Sequence, residues 1–240
     1  MKIWRAYAHG DLLDLILLDT RLWGRSEQAA NGDDPAIEDD ARTLLGDDQE
    51  TWLAERLRTS TAKWRIIGQQ VMMASLPQFL NVDQWDGYPA ARARFFDAIE
   101  AEGVGDVVVL TGDIHSSWAM DLARDPESPD YDPATGAGSL AVEIVVPAVS
   151  SPGLGLDIGD GLEAENPWMK FVDTDRRGYV VLDVTPERVQ AAYTLFEEIE
   201  TEEVAPPFAA AAWATYAGAP HLVDDVTAAP PRDDAPALAP

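Results

Sequence analysis

The run Asp106-Val107-Val108-Val109-Leu110-Thr111, closed by Gly112, constrains the chain more than any other stretch. Its continuous, β-branched apolar character predicts a strand buried on both faces, of the kind found in parallel or mixed sheets. Gly112 ends that strand. The motif Gly112-Asp113-Ile114-His115-Ser116-Ser117-Trp118 therefore falls at a strand's carboxyl end, where open α/β sheets place their ligands. In extended chain, residues two apart point to the same side, so Asp113 and His115 would offer a carboxylate oxygen and an imidazole nitrogen together. Such a pair suits one metal ion or two adjacent ones. The competing reading is a turn aspartate beside a hydrogen-bonded histidine.

Charge narrows the partners. Against 43 Asp and Glu stand 17 Lys and Arg, a formal charge of -26. A field of that sign argues against nucleic-acid and anionic-membrane partners, and it repels phosphate groups unless bound cations reverse it locally. The acidity reads either as cation attraction or as plain solubility. The chain has no cysteine, so neither disulfides nor thiolate metal sites are available. No run reaches transmembrane length, and Met1-Lys2-Ile3-Trp4-Arg5 lacks the apolar core of a signal peptide. Export is not expected of the chain as given, and its location is unknown.

Residues 2–8 read as a strand, His9-Gly10-Asp11 as a tight turn, and Leu12 to Leu18 as a second strand of one hairpin. Asp19 and Arg21 follow, either as a structural ion pair or as site residues. Residues 24–43 form a long polar loop. Asp47 with Glu50 predicts a capped helix to about Thr59, with Trp52, Leu53 and Leu57 inward. Lys63 to Ala74 is strand-like, interrupted by Gln69-Gln70, whose amides need partners. Pro89 suits a helix start, with Phe95, Phe96 and Ile99 inward and Gly103 at its end. This strand–helix–strand order supports an α/β class. Asp125 to Gly138 reads as loop, Leu140 to Val149 as strand, Ser150 to Asn166 as a Gly-rich loop, and Met169–Val172, Tyr179–Val184 and Val189–Phe196 as strands. From Ala205 to Pro240 alanine and proline dominate. That stretch reads as a low-complexity, mostly unfolded acidic tail with a short helical turn around 209–216, and no role is expected of His221.

Several stretches, in order, resemble one family. They are Leu17-Leu18-Asp19-Thr20-Arg21, Leu45-Gly46 with Gln49-Glu50-x-Trp52-Leu53, Gln69-Gln70-Val71, Trp85-Asp86-Gly87-Tyr88-Pro89-Ala90-x-Arg92, Leu110-Thr111-Gly112-Asp113-x-His115-x-x-Trp118, and Arg177-Gly178-Tyr179. This is the pattern of PhoD-like alkaline phosphatases and phosphodiesterases, within the calcineurin-like metallophosphoesterases, and it covers roughly residues 5–195. The resemblance implies an αββα sandwich of mixed sheets flanked by helices, and hydrolysis of phosphate esters with calcium and ferric iron. It makes Asp113 and His115 the metal ligands and catalytic positions, and Asp19, Arg21 and Trp118 their candidate supporting residues.

The resemblance covers only the C-terminal half of such a domain. Residues 1–204 are expected to form that half, with 205–240 the tail. The N-terminal half, with its further ligand segments, is expected to be absent, leaving a phosphatase inactive without it and a chain exposing apolar surface. Family members often carry a histidine where Trp168 stands here, and they are usually exported to the periplasm or cell surface. The substrate expected is a phosphate ester, and the missing half is a candidate partner. The alternative is a non-catalytic remnant, or an acidic module binding cations or proteins.

Overall fold

Alternation along the apolar runs sets up two packed sheets with helices on one side. The computed structural model of the chain describes residues 2–76, 81–101, 103–199 and 205–227. In chain order the elements are β1 (Arg5–His9), β2 (Leu13–Leu17), α1 (Asp47–Thr59), β3 (Trp64–Gly68), α2 (Pro89–Ala101), β4 (Val107–Thr111), β5 (Ser117–Ala123), β6 (Ser139–Val145), α3 (Gly159–Glu165), β7 (Met169–Asp173), β8 (Arg177–Val184), β9 (Arg188–Phe196), β10 (Phe208–Tyr216) and β11 (Ala219–Asp224). Single 3-10 turns lie at Pro35–Glu38 and Trp85–Gly87. Among the described residues no helix is long and apolar enough to cross a membrane.

A seven-stranded sheet runs β1-β2-β3-β4-β6-β5-β7, and a four-stranded sheet runs β11-β10-β9-β8. Strands β2, β3, β4 and β6 are mutually parallel. Their register aligns Leu15, Ile66, Val108 and Val142 in one row, and Ile16, Ile67, Val109 and Glu143 in the next. Side chains alternate across a sheet, so the two rows serve two cores. The first row packs toward the smaller sheet, against Val189, Ala191, Tyr193 and Leu222. The second meets the helical layer, with Leu53 and Leu57 of α1 and Phe95, Phe96 and Ile99 of α2. The α/β sandwich expected from the sequence is the observed fold. The β1–β2 hairpin, both longer helices and the cores of β4, β6, β7, β8 and β9 lie where the periodicity puts them, whereas β5 forms in a stretch for which no strand was expected.

Several expectations are corrected. Helix α1 starts at Asp47, but its N-cap is Gly46, with φ of 75° and no side-chain cap. Thr43 does that work from outside: its hydroxyl oxygen accepts from the Gly46 N–H (2.8 Å) and donates to Glu50 (2.5 Å). The strand expected over 63–74 ends at Gly68, because the N–H groups of Met73 and Ala74 bind the Glu143 carboxylate instead of a ladder. The strand expected over 140–149 stops at Val145. The 150–166 loop contains α3, whose Leu162 is buried. The expected turn over 175–178 carries the chain out of the larger sheet, at β7, into the smaller, at β8.

The largest correction concerns 205–240. Residues 208–216 and 219–224 are neither unfolded nor helical; they are the β10–β11 hairpin, with β10 paired along β9. Alanine there is a packing choice. Ala210 and Ala211 pack against the inter-sheet core, and Ala214 is fully buried. Residues 228–240 of the expected tail lie outside the described residues. His221 has a structural partner: Asp121, completely buried on β5, pairs with His221 Nδ1 (2.7 Å), accepts from the Tyr131 hydroxyl (2.8 Å) and the Leu222 N–H (2.8 Å), and lies 3.3 Å from Lys170 Nζ. Burial and the Asp121 charge push the Tyr131 hydroxyl well above the ordinary phenol range.

Asp121 therefore locks the hairpin to the larger sheet. Asp121→Ala leaves Lys170 and His221 without their carboxylate in a buried setting, a loss on the order of 3–5 kcal/mol. Urea denaturation followed by circular dichroism checks this. A midpoint unchanged at constant slope would show that the hairpin is anchored elsewhere.

Candidate functional site

The parallel strands deliver their carboxyl ends to one edge, and the residues singled out by sequence gather there. After Leu17 the chain is clamped by amides. Gln70 accepts from the Thr20 N–H (2.8 Å) and hydroxyl (2.7 Å) and donates to the Leu18 carbonyl (2.9 Å). Gln49 of α1 accepts from the Asp19 N–H and donates to the Asp19 carbonyl, both at 2.8 Å. These are the partners the Gln69-Gln70 pair required. Gln69 accepts from the Trp85 indole (2.9 Å) and donates to the Thr111 hydroxyl (2.9 Å).

Asp19 and Arg21 do not form the ion pair considered from sequence. The buried Asp19 carboxylate uses Oδ1 to accept the main-chain N–H of Arg21 (3.0 Å) and Leu22 (2.8 Å), while its Oδ2 is buried without a hydrogen-bond partner among the described residues. Its role is to turn the chain. Freed from Asp19, the Arg21 guanidinium reaches Asp83 (2.6 Å) and Asp113 (2.8 Å). Arg25 backs Asp83 from the other side at 2.5 Å. Burial works against the Asp83 carboxylate, but its hydrogen bonds to Arg21 and Arg25 hold its pKa below the usual range.

The central motif is not extended. Asp113 and His115 adopt left-handed backbone, with φ of 73° and 59°, a conformation that costs non-glycine residues on the order of 1 kcal/mol each. Alternation of an extended strand therefore does not orient the two side chains; two strained residues on a bent loop do. Both are exposed at the rim. His115 Nδ1 lies 3.0 Å from the Pro152 carbonyl oxygen. A carbonyl only accepts, so Nδ1 carries the hydrogen and Nε2 of the neutral ring keeps its lone pair. Trp118 is buried beneath the motif and donates from its indole to Ser116 Oγ (2.6 Å). With Ile114, Leu154, Leu156 and Leu162 it lines a cavity of about 300 Å³ beside the rim.

Asp113 and His115 are of the right chemistry for metal ligands: a carboxylate, and an imidazole whose other nitrogen is held by a carbonyl, the arrangement that orients a ligating histidine. They fit as two ligands of a site and do not by themselves make a cage. Among the described residues, no three His, Cys, Asp or Glu come together as a metal site. Trp168, at the position where the family resemblance led to an expectation of histidine in many members, is buried, and its indole donates to the Ser75 carbonyl (3.2 Å).

Glu143, Asp83 and Arg25 were not singled out from sequence. Glu143 had a signal: a lone carboxylate inside the apolar run 140–149 must be paired or costly. It is fully buried and accepts from Thr111 Oγ1 (2.6 Å), Met73 N (2.9 Å) and Ala74 N (2.7 Å). Asp83 and Arg25 lie in polar loops and carry no local signal.

A family model described as PhoD-like phosphatase matches residues 1–193. The chain is 37% identical over 206 residues to alkaline phosphatase D of Bacillus subtilis (strain 168), which takes in 80% of this chain and 34% of that protein. A solved structure described as that of PhoD superposes with a TM-score of 0.83 at 32% identity, covering 97% of this chain and 45% of the other. The chain thus spans about a third of the length of the curated relative it matches.

Burial pushes the Glu143 carboxyl above its ordinary value of 4.5, against the pull of Thr111 and the two backbone donors. The folded state then holds this proton more tightly than the unfolded state, so the Glu143 contribution to stability falls as pH rises from about 4.5 through the raised value. Glu143→Gln removes that slope and places an amide N–H₂ against N–H donors, costing roughly 1–3 kcal/mol. Melting curves of both proteins between pH 4 and 8 check this; parallel pH profiles would refute it.

Proposed function

Because the chain belongs to the PhoD-like phosphatase family, we propose that it supplies some of the groups of a metal-dependent centre for phosphate-ester hydrolysis, with Asp113 and His115 as metal ligands. The observation that carries this reading is the His115 ring, fixed through Nδ1 by the Pro152 carbonyl so that Nε2 is left as the free donor atom at the rim. Asp113 stands two residues away, within the stretch matched by the family model.

A cation centre also answers the charge problem. A chain of formal charge -26 repels a phosphate ester at long range, and bound cations would reverse that field locally. Calcium and ferric iron are the ions that the family resemblance implies. A metal held by Asp113 and His115 would supply charge neutralisation for the phosphate oxygens and activation of the attacking water. The chain's own residues orient and hold. Pro152 fixes the imidazole, Asp19 holds the Arg21 N–H while Gln49 and Gln70 hold the backbone of residues 18–20 before it, and Trp118 with Ser116 closes the underside of the motif.

With only two ligands in the described residues, the isolated chain is expected to turn over an aryl phosphate or a diester far below the rate of about 10 per second typical of enzymes. Calcium binding, measured by calorimetry, should weaken by on the order of 100-fold in both Asp113→Asn and His115→Ala. Asp125→Asn, in the loop after β5, should leave it unchanged. Joining the chain to the region of the B. subtilis relative that it does not cover should restore turnover. Metal binding without restored turnover would favour the alternative, a cation-binding module with no catalysis. Calcium affinity untouched in both variants would end the assignment.

A further inference from the structure

Two arginines and two carboxylates form a chain along the rim, and the arginines differ in how fully they are committed. Arg25 is held at every nitrogen. Its Nε donates to the Tyr88 hydroxyl (3.0 Å), Nη1 to the Thr20 carbonyl (3.2 Å), and Nη2 to Asp83 Oδ1 (2.5 Å) and the Asp83 carbonyl (3.1 Å), while the guanidinium lies 5.1 Å from the Tyr88 ring centre. Arg21 uses Nη1 for Asp83 and Nη2 for Asp113. A guanidinium carries five N–H groups, so Nε–H and one hydrogen on each terminal nitrogen of Arg21 have no partner among the described residues. Its side chain is 33% exposed at the rim.

Arg25 offsets Asp83, which leaves Asp113 as the carboxylate matching the charge of Arg21. A cation that takes up Asp113 leaves Arg21 with an unmatched charge and a planar donor fork, and that is the recognition chemistry for a tetrahedral oxyanion. The residue is also placed in advance. Its main-chain N–H is held by Asp19, and the residues before it by Gln49 and Gln70. We propose that Arg21 is the oxyanion-binding residue of this rim, taking the phosphate group of an ester, and that the Asp113 carboxylate occupies it in the ligand-free chain. The role given to Asp113 rests on the metal-centre reading above; the oxyanion site itself is tested without metal.

The probe is inorganic phosphate, titrated into the metal-free chain at low ionic strength and followed by calorimetry. Asp113→Asn removes the competing charge, and asparagine tolerates the left-handed backbone there. This variant is expected to bind phosphate on the order of tenfold more tightly than the wild type. Adding Arg21→Gln should erase the gain, and adding Arg21→Lys should keep some of it, because a point charge remains while the fork is lost. Melting curves verify that each variant folds, and the lysine variant keeps the test decisive if the glutamine variant does not. No gain in Asp113→Asn, or a gain that survives Arg21→Gln, overturns the proposal. A parallel calcium titration separates it from the metal reading. Arg21-dependent phosphate binding in a chain that takes no calcium supports the oxyanion site and sinks the metal centre. Calcium bound through Asp113 with no Arg21-dependent phosphate binding does the reverse.

Discussion

The parallel register of β2, β3, β4 and β6 is the constraint on which the rest of the molecule depends. It lines up two rows of apolar side chains that face opposite cores, so neither face of the sheet can be left to solvent without large loss. Helices α1 and α2 cover one face, and the four-stranded sheet covers the other. The same register sends the ends of all four strands to a single edge. Residues as far apart as Arg21, Gln70 and Asp113 meet there because parallel strands end together, whatever their distance along the chain.

Polar groups in this interior are placed where the apolar rows run out. Glu143 takes the place of an apolar side chain in the row Ile16–Ile67–Val109, and it is tolerated because the backbone between β3 and α2 turns two N–H groups toward it. Asp121 acts in the same way on the neighbouring strand β5, which it ties to the last hairpin. Both are single carboxylates surrounded by donors, which is how a chain with so large an excess of acidic residues can bury a few of them. At the rim the balance changes. Arg21 and Arg25 against Asp83 and Asp113 make a locally neutral patch in a strongly negative molecule, and there a small change in bound charge has the most effect on what else can bind.

Much of the fold was legible because period-two and period-3.6 patterns are local. The Val107–Thr111 run, the inward faces of α1 and α2 and the hairpin at the start all read directly from spacing. The needs of Gln69 and Gln70 were legible too, though their partners were not. What failed were the places where a distant partner decides conformation. The 71–74 segment has strand-like residues but gives its N–H groups to Glu143. The alanine-rich stretch from 208 to 216 looks like low complexity, yet it is a strand because β9 offers it a ladder, and its Ala210, Ala211 and Trp213 pack against the inter-sheet core.

The sequence by itself determined the α/β class, the strand that ends at Gly112, and the two residues, Asp113 and His115, that a metal reading would use, since residue type and periodicity are carried by neighbours in the chain. The tertiary structure alone decided how those two residues are held. The left-handed bend of the motif, the Pro152 carbonyl on His115, and the bridge from Arg21 to Asp113 across 92 positions all depend on loops brought together by the strand order. No local pattern encodes such contacts, because their energy is gained only after the sheet has formed.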